Sequence, residues 1–126
     1  MTIKMYQILS FQTFYGAVKE KKLPSKIAYK ISLIVTKISE HTRFYYERMN
    51  QVIEEYAERD ENGDFIYIDE TSIKIKKENV RQCQMELNEL QNLDVDLGEI
   101  NLSINDLEGL DLTIEEIATL TPILQD

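Results

Sequence analysis

The sequence predicts an α+β fold: a long central helix with shorter helices and a small, mostly antiparallel sheet. Three patterns predict it. Apolar residues recur about every 3.6 positions from Ile27 to Tyr56, the period of a straight α-helix. Two short alternating runs, at 64–68 and 72–76, follow the turn dipeptide Asn62-Gly63. Near the C-terminus, Thr113-Ile-Glu-Glu is a capping-box pattern that opens a last helical run.

Taken in order, 5–21 carries Ile8, Phe11, Phe14, Tyr15 and Val18 at steps of three and four, a short amphipathic helix. Pro24 ends it, because the residue before a proline avoids the helical region. Ser25 is the expected cap of the long helix, which runs to about 59. Its stripe is Ile27, Ile31, Ile34, Ile38, His41 or Thr42, Tyr45, Met49, Val52 and Tyr56. At about 1.5 Å per residue the helix would be about 50 Å long. Val35, Phe44, Tyr46 and Ile53 widen the stripe, so packing on more than one side is expected.

Asn62-Gly63 then turns the chain into a hairpin over about 64–76, its two strands joined by Asp-Glu-Thr. A helix at about 78–91 follows, with Val80, Cys83, Leu87 and Leu90 at helical spacing. Val95 and Leu97, then Ile100, Leu102 and Ile104, alternate with polar residues around Gly98 and predict two short strands. The last helix is Ile114–Leu120, stopped by Pro122. The expected organisation is a single domain, 1–126, with acidic strands and a short helix over 93–121.

Charge is distributed unevenly. The first fifty residues hold nine Lys/Arg and three acids, whereas 51–126 hold five bases and twenty acids. From Gln82 onward there is no Lys or Arg and there are eleven carboxylates. Such a field selects what the surface touches. No apolar run approaches the roughly 20 residues of a membrane span, and the start has no signal-peptide pattern. Cys83 is the one cysteine, which fits a reducing cytosol and a small buried side chain.

Chemistry-bearing motifs are sparse. Glu58, Asp60, Asn62, Gly63 and Asp69 fall at positions 1, 3, 5, 6 and 12 of a calcium-binding loop. Position 12 is the short Asp, and a strand pattern follows where a helix belongs, so a solvated helix end and hairpin turn is the favoured reading. There is no nucleophile–base pair, phosphate-cradling glycine loop or Cys/His cluster. No enzyme, no cofactor and no metal site are therefore expected. Lys19, Lys21, Lys22, Lys26, Lys30 and Lys37, near Phe14 and Tyr15, resemble a nucleic-acid patch, but the total charge of −9 opposes direct binding. The partner-binding candidates are Asp94, Asp96, Glu99, Asp106, Glu108 and Asp111, with Phe44, Tyr45 and Tyr46 as aromatic surface.

One resemblance adds to this reading. Leu23-Pro-Ser-Lys-Ile-Ala-Tyr-Lys-Ile resembles the LPxKxAYxI start of a family of small uncharacterised tailed-phage and prophage proteins. The likeness continues through Val52-Ile-Glu-Glu-Tyr, Asp60-Glu-Asn-Gly and Glu86-Leu-Asn-Glu-Leu to Asp111-Leu-Thr-Ile-Glu-Glu and Leu120-Thr-Pro. It departs at Ala57, where relatives often carry Gly, and at the Leu120-Thr-Pro-Ile ending. The resemblance implies phage origin and small size, and brings no catalytic site.

The expected function is a phage-encoded, non-enzymatic protein-binding protein that inhibits or modulates a host or anti-phage defence protein. Acidic mimicry of nucleic acid, as in an anti-CRISPR protein, is the expected mechanism, in the host cytoplasm. The alternative is a virion-associated or assembly component forming a homo-oligomer. A calcium or magnesium binder or an enzyme ranks below both. The partner is expected to be a host or phage protein that itself binds nucleic acid, with no membrane.

Overall fold

A computed structural model describes residues 1–125. The elements in chain order are β1 (Thr2–Lys4), α1 (Met5–Val18), α2 (Ser25–Tyr56), α3 (Val80–Gln91), β2 (Asp94–Asp96) and α4 (Ile114–Leu120). Short 3-10 turns stand at Lys77–Asn79, Ile104–Leu107 and Thr121–Ile123. The fold class is α+β, with a long helix and a two-stranded antiparallel sheet. The chain divides into two compact units: Met1–Arg43 with Leu93–Asp126, and Phe44–Asn92. No described helix is long and apolar enough to cross a membrane.

In the first unit, β1 pairs antiparallel with β2, Ile3 opposite Val95, so the two buried side chains share one face. The Lys4 amide donates to Gln7 Oε1 at 2.9 Å, which holds the strand-to-helix turn. Met5, Ile8, Phe11, Phe14 and Val18 are buried along α1, and the Phe11 and Phe14 rings sit 5.7 Å apart. α1 ends at Val18, three residues before the expected end, where Lys19 and Lys21 turn the chain toward Pro24. The Pro24 carbonyl accepts from the Ile27 and Ala28 amides, so Pro24 occupies the cap position and Ser25 is already helical. That corrects the expectation of a Ser25 cap.

Ile27, Ile31, Ile34 and Ile38 of α2 are buried, as the stripe requires. They share this unit's core with Leu97, Ile100, Leu102, Leu107, Leu120 and Ile123. The expected second acidic strand does not form. Ile100 and Leu102 are buried, but beyond β2 the described residues of this stretch make only an isolated bridge, from Ser103 to Gln125. The chain then turns, because Asp106 Oδ2 accepts from the Ser103 amide at 2.9 Å and starts a 3-10 turn. Ile104 is thereby left 62 % exposed. α4 spans the residues the capping box predicts, with Thr113 Oγ1 accepting from the Glu116 amide at 3.1 Å.

In the second unit, α2 ends at Tyr56 rather than near 59. The segment after it bridges the hairpin instead: Ala57 pairs with Ile75, and Arg59 with Phe65. The hairpin closes through Tyr67 and Ile73. Three amides form a ring, Glu58 to the Lys74 carbonyl, Lys74 to the Ile66 carbonyl, and Ile66 to the Glu58 carbonyl. Each segment pairs alternately with two others, so the two regular strands expected at 64–68 and 72–76 resolve into single bridges. Tyr45, Val52, Ala57, Cys83 and Leu90 are buried here.

Candidate functional site

Folding places the basic start and the acidic end of the chain in the same unit. Several opposite charges meet there. Lys4 Nζ lies 2.6 Å from Asp94, Lys30 Nζ 2.9 Å from Asp106, and Lys21 Nζ 3.2 Å from Glu116. The second unit, 44–92, carries twelve acids against six bases, or −6 of the total −9. The acidic excess is therefore not confined to the tail.

The six candidate carboxylates divide by environment. Asp106 is mostly covered and holds Lys30, the Ser103 amide and the Ser103 hydroxyl. The Ser103 amide, then Lys30, keep its carboxyl below its ordinary value. It is a structural clamp. Asp94 and Asp96 stand on β2 with exposed side chains. Asp96 accepts from the Gly98 amide at 2.9 Å and faces the terminal amine at 3.7 Å, and both lower its pKa. Glu99, Glu108 and Asp111 are exposed, and their carboxylates meet no cation among the described residues. The backbones of two of them are held instead. Lys37 Nζ donates to the Glu99 carbonyl, and Lys21 Nζ to the Asp111 carbonyl at 3.0 Å. Lysines thus fix the main chain while the carboxylates stay in water.

The three aromatic candidates also separate. Tyr45 is buried, and its hydroxyl accepts from Gln91 Nε2 at 3.2 Å, so it belongs to the core of the second unit. Phe44 and Tyr46 are 50 % and 46 % exposed, which leaves them as surface.

The calcium-loop positions are engaged otherwise. Asp60 Oδ1 accepts from the Asn62 and Asp64 amides, and Gly63 takes φ 82° in the reversal. Asp69 accepts from the Thr71 and Ser72 amides, which depress its pKa. Glu58 pairs with Lys74 at 3.1 Å. Among the described residues no three His, Cys, Asp or Glu side chains are grouped to hold a metal.

Sequence reasoning missed two features. One is a cluster of Tyr56, Cys83 and Glu86 in the second unit. Burial first, then Glu86, raises both the Tyr56 hydroxyl and the Cys83 thiol, which holds both protonated at neutral pH. Glu86 Oε2 is buried with no hydrogen-bond donor among the described residues. The other is a groove of about 300 Å³ in the first unit, lined by Tyr29, Leu33, Ile34 and Ile100 and edged by lysines. The i, i+4 pair Tyr29 and Leu33, which lies off the main stripe, was the available signal for it. The lysine–carboxylate pairs had no local signal, since Lys30 and Asp106 are 76 residues apart.

No family model, curated protein or solved structure matches this chain.

Proposed function

We propose that the chain is a phage-encoded binding protein that performs no chemistry and acts by occupying a basic, nucleic-acid-binding surface of a host or anti-phage defence protein. The supporting observation is the set of exposed carboxylates on Asp94, Asp96, Glu99, Glu108 and Asp111, all but Glu108 carried on backbone tied down by β-pairing or by Lys21 and Lys37. Positioned carboxylates present charge where phosphates would lie, and their ordering is settled during folding rather than during binding. The site of action in this reading is the host cytoplasm, and the likeness of Leu23-Pro-Ser-Lys-Ile-Ala-Tyr-Lys-Ile to tailed-phage proteins supports the phage assignment.

The test is capture of a partner from infected host cells by the tagged chain, with each bound protein identified and quantified. Asp94, Asp96, Glu99, Glu108 and Asp111 are changed together to Asn or Gln, and Asp106 is left intact because it holds the fold. Mimicry predicts capture of a basic protein, lost in the fivefold variant and weakened by added salt. Capture unchanged in the variant would reject the mimicry.

A virion or assembly component is the second reading. It is favoured by exposed apolar side chains in the first unit, Ile114 at 87 % and Tyr29 at 64 %. Purified particles that lack the chain and assemble without it would remove this reading.

A further inference from the structure

We propose that a second copy of this chain docks on the α2 groove, inserting Ile114 between Tyr29 and Leu33. The groove of about 300 Å³ lies within the first unit and has an apolar floor of Tyr29, Leu33, Ile34 and Ile100. Tyr29 is 64 % exposed and Leu33 46 %, so the chain's own residues leave most of Tyr29 and nearly half of Leu33 uncovered. Lysines 26, 30 and 37 edge the groove. Lys30 is neutralised by Asp106. The Lys37 ammonium donates to the Glu99 carbonyl, which carries no net charge, and neither Lys37 nor Lys26 is in an ion pair among the described residues. The backbone positions of Lys26 and Lys37 stand about 16 Å apart along the helix axis, at about 1.5 Å per residue. Glu99 also lines the groove, at the Lys37 end through its backbone carbonyl.

The complementary surface is at the start of α4. Ile114 is the most exposed large apolar side chain of the described residues, at 87 %. Asp111 and Glu115 flank it, both exposed and neither in an ion pair among the described residues. Glu116 by contrast turns inward to Lys21. An apolar knob flanked by two carboxylates outside any ion pair among the described residues thus matches an apolar groove flanked by two ammonium groups likewise outside any ion pair. Each copy carries both the groove and the knob, so the pairing is satisfied by reciprocal exchange about a two-fold axis or by head-to-tail repetition in a ring or row. Burial of Ile114, Tyr29 and Leu33 and the attraction between the opposite charges together drive the contact, and the charges also set its register.

Sedimentation of the purified chain alone tests this, whether or not a foreign partner exists. The mass is expected to rise above 14.8 kDa with concentration at low salt and to fall back at high salt. Lys26→Glu with Lys37→Glu, and separately Asp111→Lys with Glu115→Lys, should each weaken association at least tenfold. An equimolar mixture of the two variants should restore it, because each presents charges complementary to the other. Ile114→Gln, at a site that no core contact covers, should abolish association while circular dichroism stays unchanged. A wild-type chain that remains monomeric at all concentrations overturns the proposal. So does association that survives these changes, which would locate the contact elsewhere, or a mixture that stays monomeric.

Discussion

Replacing Leu102 by Ala tests whether the acidic region is a packed element or a loose charged tail. Leu102 is fully buried, with acidic residues before and after it in the chain. Truncation removes three carbons, worth about 0.8 kcal/mol each in transfer from water, or about 2.4 kcal/mol. The cavity left behind brings the total to about 3–5 kcal/mol, within the range for buried Leu→Ala changes. Against a typical domain stability of about 5–15 kcal/mol this is a large fraction. It corresponds to a fall in melting temperature of roughly 10–20 °C for a chain of this size. The control is Ile104→Ala, two residues on and 62 % exposed, expected to change stability by less than about 0.5 kcal/mol. Urea denaturation followed by circular dichroism reads both variants. Equal stability of Leu102→Ala and wild type would refute the packing argument, and so would equal losses in the two variants.

Stability should depend on pH at both ends of the range. The carboxyls of Asp96, Asp106 and Glu116 lie below their ordinary values of 3.8, 3.8 and 4.5, so their contribution is present above about pH 4.5 and lost as pH falls through the folded values. Cys83 and Tyr56 lie above their ordinary 9.0 and 10.0, so their contribution is present below pH 9 and lost as pH rises beyond it. Thermal melts from pH 3 to 11 should show a plateau between these limits, and a monotonic profile would contradict the assignment. Thr113→Ala removes the α4 cap and should cost about 1 kcal/mol, measured by the same melts. Tyr45→Phe loses the Gln91 bond and about 0.5–1.5 kcal/mol, whereas Phe44→Ala stays within about 0.5 kcal/mol, which separates core from surface in one aromatic run.

The long helix and α4 were legible because their signals are local. Four isoleucines at steps of three and four specify a buried face, and Thr113 with Glu116 specifies a helix start. Strand β1 was not legible. It is three residues long, and its partner lies about 90 residues away, a pairing that no local pattern encodes. Alternation at Ile100 and Leu102 marked burial correctly and strand pairing incorrectly, because among the described residues this stretch makes only the single bridge to Gln125 and Asp106 turns the chain. The candidate carboxylates were legible as a list but not by role. Only folding reveals that Asp106 holds Lys30 while Glu108 and Asp111 face water.

The claim that most needs testing is that the exposed carboxylates occupy a nucleic-acid-binding surface. The direct measurement is the dissociation constant of the captured partner as salt is varied, with and without that partner's nucleic acid. The account predicts affinity that weakens by roughly tenfold or more between about 50 and 300 mM salt, and displacement of the chain by the nucleic acid. Affinity independent of salt, or a ternary complex of partner, nucleic acid and this chain, would contradict it.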